Sequence, residues 1–284
     1  MNINDTPPLL STFSLNVIFN EGIKSGKNKQ HQAIKDVSFT LAKNEVLGIV
    51  GESGSGKSTL ARTILQLQKP SSGKLEFAGQ DYSSLNKQQQ QKIRKDIQLI
   101  FQDPLDALNP RMTISQIIAE PLHNLASVLG VQLSKKQIAE KVSEMIQAIG
   151  LQEAQLNRYP HEFSGGQCQR IGIARAMIVD PKLLVCDEPV SALDVSIQAQ
   201  IINLLMDLKQ QSQMSMIFIS HDLSIVRQIC DRLLVLYNGE IVEIGKAEDI
   251  YQNPQHDYTK KLLGSIPLAD PNKERQRIID GNSA

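Results

Sequence analysis

The stretch GESGSGKST, residues 51–59, constrains the fold of this chain more than any other feature. It fits the pattern G-x-x-x-x-G-K-[ST] from Gly51 to Ser58. An apolar run, EVLGIV, precedes it, and a helical pattern, STLARTILQLQ, overlaps its end. A strand, a glycine-rich loop and a helix in this order form the setting in which such a loop holds phosphate groups. The sequence therefore predicts an α/β domain built around a phosphate-binding loop.

Each part of this loop suits phosphate binding. The glycines let the backbone curl so that N–H groups point at the β- and γ-phosphates, and the positive end of the next helix adds to the attraction. Lys57 is predicted to neutralise the phosphates, and Ser58 to ligate Mg²⁺ through its hydroxyl. The loop alone does not separate a kinase, a GTPase and a motor. The predicted nucleotide contacts in the loop are Gly51, Glu52, Ser53, Gly54, Ser55, Gly56, Lys57, Ser58 and Thr59.

Two carboxylates, Asp187 and Glu188, end the apolar run KLLVCDEP. In a protein with a phosphate-binding loop, the first carboxylate would hold Mg²⁺ through its water shell, and the second would polarise an attacking water. A kinase needs no water-activating glutamate, because its nucleophile is the acceptor hydroxyl. The pair therefore favours hydrolysis.

Two further polar residues follow apolar runs that are typical of strands. His221 comes directly after SMIFIS, so it is predicted to reach the same sheet edge as Asp187, beside the γ-phosphate or the attacking water. Gln102, in IFQDP, is predicted to reach Mg²⁺ or the water through its amide oxygen, with Pro104 ending the strand. These residues and the two carboxylates are predicted to form one site.

Composition limits the classes of partner. Thirty basic residues balance thirty acidic ones, so the chain has no overall charge that would favour nucleic acid or an anionic membrane. The three cysteines are an odd number without metal-ligand spacing, which fits a reducing compartment. No apolar run approaches the roughly 18 residues that suggest a membrane span. Work at a membrane would require docking onto another protein.

Residue patterns predict the order of elements around these motifs. SLNVIFN and AIKDVSFTL alternate like half-buried strands, and the polar stretch between them, GIKSGKNKQHQ, is predicted to be an exposed loop. The region from about Thr113 to Pro160 has a helical pattern, with a capping box at Ser134 and Gln137. Strand and helix patterns then alternate, which predicts a largely parallel sheet, and Asn238-Gly239 predicts a hairpin. The polar tail past Asp270 is predicted to be mobile.

A second glycine-containing stretch, FSGGQCQR, spans residues 163–170. It places a small hydroxyl residue and two glycines at the predicted start of a helix, which again suits phosphate binding. One nucleotide site does not need two such segments, so their presence in one chain requires an explanation.

The combined motifs resemble those of the ATP-binding cassette (ABC) ATPases, in that family's order and spacing. The resemblance spans roughly residues 12 to 270 and implies a P-loop NTPase core of α/β class, an antiparallel β subdomain and an inserted helical subdomain. It also implies a head-to-tail dimer, in which FSGGQ of one cassette meets the nucleotide on the other's loop. The motifs are GESGSGKST, Gln102, FSGGQ, LLVCDEP, SALD at 191–194 and His221.

The resemblance implies domain boundaries and residue roles. A flexible N-terminus is expected at 1–11, the nucleotide-binding domain at 12–250 with its helical subdomain at about 104–165, and a C-terminal extension at 251–284. Phe19 would stack on adenine, where the family usually has tyrosine; a buried core phenylalanine is the alternative. The expected catalytic residues are Glu188, His221, Gln102 and Lys57. The expected Mg²⁺ ligands are Ser58, Gln102 and, through water, Asp187. The residues expected to act in trans are Ser164, Gly165, Gly166, Gln167 and Asp194.

Longer stretches, above all NPQHDYTKKLLGSIPLADP, resemble the ATP-binding subunits of oligopeptide and dipeptide importers, with Asp257 in place of a proline. The resemblance implies an ATPase with bound Mg²⁺ on the cytoplasmic face of the inner membrane. Its expected partners are a second cassette, usually a paralogue, two integral membrane permeases and an extracytoplasmic solute-binding protein, with no nucleic acid. The cargo stays open among dipeptides, longer peptides, murein fragments, glutathione and nickel complexes. A soluble cassette acting on ribosomes or DNA and a non-hydrolysing nucleotide binder are the alternatives; Glu188 and His221 argue against the second.

Overall fold

A six-stranded sheet carries the phosphate-binding loop. The structure, a computed structural model, describes residues 7–24, 27–129 and 133–265. The strand order in this sheet is β10-β9-β3-β8-β7-β6, and only the β9–β10 pair is antiparallel, so the predicted largely parallel sheet and the hairpin at Asn238-Gly239 are confirmed. Its strands are β3 (Val46–Val50), β6 (Ile97–Ile100), β7 (Leu183–Asp187), β8 (Ser215–Ile219), β9 (Arg232–Tyr237) and β10 (Glu240–Lys246).

A smaller, four-stranded sheet has the order β2-β1-β4-β5 and is antiparallel at each pairing. It is the antiparallel part that the family resemblance predicts. Its strand β1 begins at Leu10, before the expected boundary at residue 12, because Leu9 and Leu10 are buried in the core. The strands are β1 (Leu10–Lys24), β2 (Lys27–Leu41), β4 (Ser72–Phe77) and β5 (Gln80–Asp81).

The expectation of an exposed loop at GIKSGKNKQHQ is wrong for most of that stretch. Strand β1 continues to Lys24 and β2 starts at Lys27, and these two residues are partners in the ladder. A ladder is held by backbone hydrogen bonds, which polar residues make as well as apolar ones. This polar stretch therefore forms the ends of two paired strands, far from the start of β1. Residues 25 and 26 lie outside the described residues.

Some helices cover the six-stranded sheet, and α3 and α4 form, with α5, a separate helical layer. The predicted capping box is confirmed at the start of α4, where the N–H of Ser134 donates to Oε1 of Gln137 at 2.9 Å and the N–H of Gln137 donates to Oγ of Ser134 at 3.3 Å. The helices are α1 (Lys57–Ile64), α2 (Lys87–Asp96), α3 (Ile114–Leu129), α4 (Lys135–Ala148), α5 (Gly165–Met177), α6 (Val195–Ser212), α7 (Leu223–Ile229), α8 (Ala247–Gln252) and α9 (Asp257–Gly264).

Alternate residues of β3 face two different hydrophobic clusters, as the two-residue period of a strand requires. Val46 and Val50 pack in the cluster that includes side chains of α6 and α7, whereas Leu47 and Ile49 pack in the cluster shared with α1 and the small sheet. A third cluster joins α3, α4 and α5. The helix that begins at FSGGQ is therefore packed against the predicted helical insertion. The polar tail predicted to be mobile lies outside the described residues.

Candidate nucleotide-binding and hydrolysis site

The phosphate-binding loop connects β3 to α1 along a path that two glycines make possible. Gly51 has φ 153°, and a Cβ there would lie 2.2 Å from the carbonyl oxygen of Leu236. Gly56 has φ 109°, and a Cβ there would lie 2.5 Å from the carbonyl oxygen of Ala33 in β2. No side chain fits at such distances, so the glycines permit both the curl of the loop and its close contact with the two sheets.

Lys57 lies across the loop and is 7% exposed. Its Nζ donates hydrogen bonds to the carbonyl oxygens of Gly51, at 2.7 Å, and Glu52, at 2.8 Å. Burial lowers the pKa of Lys57, and the nearby carboxylates, Glu188 first, oppose that shift. Because burial disfavours the charged form of Lys57, a phosphate bound beside its ammonium group would stabilise that charge.

A cleft of about 520 Å³ opens beside the loop. Its volume lies in the range of small-molecule sites, about 300–1,000 Å³. Phe19 is 38% exposed and lines the cleft, which excludes the alternative of a buried core phenylalanine. Gly51, Glu52, Ser55 and Asp187 are not among the described lining residues; Ser55 is buried and Glu52 is exposed. The cleft is lined by Phe19, His31, Ala33, Ser53, Gly54, Gly56, Lys57, Ser58, Thr59, Gln102, Glu188 and His221.

Glu188 is the centre of a polar cluster in this cleft. Its Oε2 accepts a hydrogen bond from Nε2 of Gln102 at 3.2 Å and lies 3.2 Å from Nδ1 of His221. Glu188 has φ 50°, an unfavourable backbone conformation for a non-glycine residue, and its N–H donates to the carbonyl oxygen of Ile219 at 3.0 Å. The neighbouring strands β7 and β8 therefore bring the glutamate and the histidine to one sheet edge. Strand β6 ends at Ile100, so Pro104 does not end it as predicted.

Asp187 and Ser58 form a second polar pair. The hydroxyl of Ser58 donates to Oδ1 of Asp187 at 3.4 Å, and burial raises the pKa of this carboxyl. A hydroxyl, a carboxylate and the amide oxygen of Gln102 are the oxygen donors that suit Mg²⁺ when phosphate oxygens and water complete its octahedron. In the described part of the chain, no three His, Cys, Asp or Glu side chains form a ready metal cluster. The donor set therefore fits a metal that arrives with a phosphate ligand.

FSGGQ starts α5, as predicted from its pattern. Ser164 caps the helix in a capping box with Gln167: the N–H of Ser164 donates to Oε1 of Gln167 at 3.0 Å, and the N–H of Gln167 donates to Oγ of Ser164 at 3.4 Å. Asp194 is the N-cap of α6, but its side chain makes no capping hydrogen bond. Among the described residues, the lining of the cleft includes neither Asp194 nor any residue of 164–167. The fold thus keeps these residues out of the chain's own cleft.

Two residues near the loop were missed by sequence reasoning. His31 lines the cleft and faces Phe19 in the β1–β2 ladder. The pairing of β1 with β2 would have revealed His31, but this stretch was predicted to be a loop. Tyr258, on α9, accepts a hydrogen bond from the N–H of Glu52 at 2.8 Å. No local pattern in the sequence announces a contact across 206 positions.

Two family models match the chain. The model described as ABC transporter matches residues 34–191, which is more than half of the chain. The chain belongs to the ABC transporter family. A second model, described as Oligopeptide/dipeptide transporter, C-terminal region, matches residues 242–284 of this ABC protein. The two matches confirm the predicted family and place the importer-type segment at the C-terminal side.

Curated relatives and solved structures agree with this assignment. The chain is 50% identical over 277 residues to the oligopeptide transport ATP-binding protein OppF of Salmonella typhimurium, covering 95% of this chain and 81% of that protein. It is 48% identical over 250 residues to OppF of Bacillus subtilis, covering 87% and 80%. CbiO1 of Clostridium perfringens, part of the ABC transporter complex CbiONQ, superposes with a TM-score of 0.76 at 26% identity, covering 95% of this chain and 98% of that one.

A further solved structure is the dimeric post-hydrolysis state of the ATP-binding cassette MJ0796 bound to ADP and Pi. It superposes with a TM-score of 0.73 at 28% identity, covering 84% of this chain and 98% of that one. The predicted ABC ATPase fold is confirmed. Within the described ranges, no helix has the length and apolar content needed to cross a membrane.

Proposed function

We propose that this chain is the ATP-hydrolysing subunit of an ABC importer that takes up oligopeptides across the cytoplasmic membrane. The observation that carries the proposal is the cleft in which Glu188, His221 and Gln102 meet beside Lys57 of the phosphate-binding loop. A glutamate held this close to a phosphate-binding lysine suits the activation of water. The cargo is proposed from the relatives, which are oligopeptide transport proteins.

Different lining residues of the cleft are proposed to bind the adenine, the phosphates and Mg²⁺. Phe19 offers an exposed aromatic ring for adenine, with His31 opposite it in the ladder. The loop backbone from Ser53 to Thr59 surrounds the phosphates, together with Lys57. Ser58, Gln102 and, through water, Asp187 would hold Mg²⁺, which neutralises charge on the phosphates when bound. Each of these roles uses a side chain or backbone group at the cleft or directly behind it.

Hydrolysis requires a water oriented toward the γ-phosphate. Glu188 is placed to accept a proton from that water, and His221 to contact the γ-phosphate or the water from the neighbouring strand. Gln102 shares the carboxylate oxygen Oε2 with His221, so a ligand that moves Gln102 also changes the surroundings of the base. This arrangement gives the loop that contains Gln102 a direct contact with the catalytic carboxylate.

We further propose that each site is completed by a second cassette. FSGGQ and Asp194 offer a helix start and a carboxylate outside this chain's own cleft. A head-to-tail partner would bring its own copies of these residues to the nucleotide, and this chain would do the same for the partner. ATP then closes the pair and hydrolysis reopens it. The partner is proposed to be a paralogous cassette.

A groove of about 440 Å³ is the proposed contact with the permease subunits. It lies between the end of α1, the segment around β6, and helices α3 and α5, next to Gln102 in the chain. Leu67 and Phe101 line it and are 64% and 45% exposed. Exposed apolar side chains that share a groove favour a protein partner. In the proposed importer, this groove would contact two permeases at the cytoplasmic face of the membrane. An extracytoplasmic solute-binding protein would complete the system.

Purification of the tagged chain from its own cells in mild detergent tests the proposal. We expect two integral membrane proteins and a second cassette to co-purify, the complex to hydrolyse ATP, and deletion of the gene to abolish oligopeptide uptake. Leu67→Glu should prevent co-purification while leaving ATP binding intact. Co-purification with ribosomes or DNA in place of membrane proteins would contradict the proposal.

A further inference from the structure

Tyr258 joins the C-terminal part of the chain to the phosphate-binding loop. The backbone N–H of Glu52, inside the loop, donates to the hydroxyl oxygen of Tyr258 at 2.8 Å. Tyr258 lies on α9, within the segment matched by the oligopeptide/dipeptide transporter C-terminal model and outside the part matched by the ABC transporter model. A segment beyond the matched ABC core therefore contacts the loop proposed to hold ATP.

The peptide group held by Tyr258 also holds Lys57. The N–H of Glu52 and the carbonyl of Gly51 belong to one planar peptide unit, and that carbonyl accepts a hydrogen bond from Nζ of Lys57 at 2.7 Å. Rotation of the unit would move both hydrogen-bonding groups together. Because Gly51 has no side chain, its own rotamer packing does not restrain the unit. The Tyr258 hydroxyl therefore fixes the direction in which the Gly51 carbonyl meets Lys57.

Tyr258 is itself firmly placed. It is 8% exposed, and its ring lies against that of Tyr237, with centroids 4.1 Å apart and planes tilted by 32°. The carboxylate of Glu243 accepts hydrogen bonds from the N–H groups of Gln255, at 2.9 Å, and His256, at 3.1 Å, just before α9. Burial raises the pKa of Tyr258, so its hydroxyl stays neutral at physiological pH. Tyr258 is therefore held both by the packing of its ring and by the hydrogen bonds at the start of α9.

We infer that Tyr258 is a positioning residue for the phosphate-binding loop: it holds the Gly51–Glu52 peptide in the orientation that places Lys57 for the nucleotide phosphates. The inference rests on the proposed ATP-binding function. Tyr258 is not among the described residues that line the cleft, so it acts through the loop. A loop that is already ordered binds more tightly than one that must be ordered by its ligand. The C-terminal segment thus contributes to ATP affinity without contacting ATP.

The test measures the Kd of the full chain for MgATP by calorimetry in wild type, Tyr258→Phe and the matched control Tyr237→Phe. In either variant, phenylalanine keeps the contact between the two rings and removes one hydroxyl. The loss of one hydrogen bond predicts a Kd about three- to tenfold higher for Tyr258→Phe. The control should stay within about twofold of wild type because, of the two hydroxyls, it is that of Tyr258 that accepts the hydrogen bond from the loop.

A second readout separates positioning from a general loss of structure. In the assembled transporter, Tyr258→Phe should raise KM for ATP by a similar factor and leave kcat within about twofold, because Glu188, His221 and Gln102 lie on other elements. Equal Kd values for Tyr258→Phe and wild type would overturn the inference. If the wild-type chain does not bind ATP at all, the proposed function fails, and the inference fails with it.

Glu243→Gln is a second variant that does not alter Tyr258. It weakens the hydrogen bonds to Gln255 and His256 and so loosens the start of α9. If Tyr258→Phe does not fold, a raised Kd in a folded Glu243→Gln chain supports the inference. An unchanged Kd in that variant overturns it.

Discussion

Oε2 of Glu188 lies 3.2 Å from Nδ1 of His221, across two neighbouring strands of the parallel sheet. The glutamate is 20% and the histidine 64% exposed at the side chain, so the pair sits at the mouth of the cleft, where a water can enter. The backbone of Glu188 is left-handed, a conformation that costs of order 1–3 kcal/mol and is tolerated where function requires it. This geometry is what the proposed roles of Glu188 as base and His221 as its neighbour require.

Glu188→Gln should lower kcat for ATP hydrolysis by at least about a hundredfold, because an amide cannot accept the proton of the attacking water. ATP binding should persist, since Lys57 and the loop are unchanged. Phosphate release by the assembled complex measures the first effect, and an ATP-dependent dimer in size-exclusion chromatography with light scattering measures the second. Glu76→Gln, on the small sheet, is the control. Wild-type turnover in Glu188→Gln would contradict the assignment of Glu188 as the base.

His221→Ala should lower kcat by about 10²-fold or more, in the range of a lost catalytic acid–base group, with a much smaller change in KM for ATP. Its imidazole lies 3.2 Å from the carboxylate of Glu188, the proposed base. His123→Ala, on the helical layer, should behave like wild type in steady-state kinetics. A large rise in KM with unchanged kcat would instead place His221 in ground-state binding.

Lys57→Ala should weaken ATP binding by about 10- to 100-fold, the loss expected for a hydrogen bond to a charged group. Nζ of Lys57 donates to the carbonyl oxygen of Gly51 at 2.7 Å, so its charge is held within the loop. Titration with a fluorescent ATP analogue measures the affinity. Lys182→Ala, whose ammonium group pairs with Asp96 at the surface, is the control. Unchanged affinity in Lys57→Ala would argue against ATP binding by this loop.

Ser164→Ala should reduce hydrolysis at the site shared with the partner cassette while leaving this chain's own ATP affinity nearly intact. The matched control is Ser134→Ala, because Ser134 and Gln137 form the same capping box on α4 as Ser164 and Gln167 do on α5. Each substitution should cost about 1 kcal/mol of folding stability. Only Ser164→Ala should lower the ATPase rate. Equal rates in the two variants would mean that Ser164 is a helix cap and nothing more.

Ser58→Ala should raise the Mg²⁺ concentration needed for half-maximal hydrolysis, because it removes the hydroxyl that we propose as a Mg²⁺ ligand, 3.4 Å from Oδ1 of Asp187. ATP hydrolysis at several Mg²⁺ concentrations measures the shift. Ser212→Ala, near the end of α6, provides the comparison and should leave the curve in place. A chelator should abolish wild-type hydrolysis, and excess Mg²⁺ should restore it. The same Mg²⁺ dependence in both variants would contradict a ligand role for Ser58.

Patterns set by local chemistry were predicted correctly from the sequence. GESGSGKST requires glycine at left-handed or crowded positions, so its loop can be read residue by residue, and the apolar runs before Gly51, Asp187 and His221 mark buried strands of a parallel sheet. The capping box at Ser134 and the helix start at FSGGQ are equally local, because a helix start needs partners for its own N–H groups. These features depend on residues within a few positions of each other.

The prediction of a loop at residues 22–32 was wrong because it relied on side-chain pattern alone. The stretch GIKSGKNKQHQ lacks the apolar alternation that identifies a strand, yet its described residues pair in the β1–β2 ladder, as Ile23 does with Asn28 and Lys24 with Lys27. The error also concealed His31, which can be placed opposite Phe19 only when the register of the ladder is known. A side-chain pattern indicates which residues are buried, whereas the backbone pairing of a ladder does not depend on burial.

The sequence by itself determined the phosphate-binding loop, the helix start at FSGGQ, the acidic strand end and the family to which they belong, because each is a short pattern with a local physical cause. Only the tertiary structure decided that Gln102 and His221 share one oxygen of Glu188, that Asp194 and Ser164 stay out of this chain's own cleft, and that Tyr258 holds the N–H of Glu52. Those contacts join residues far apart in the chain. They exist because strand order and helix packing bring separate segments to one edge of the sheet, which no local pattern encodes.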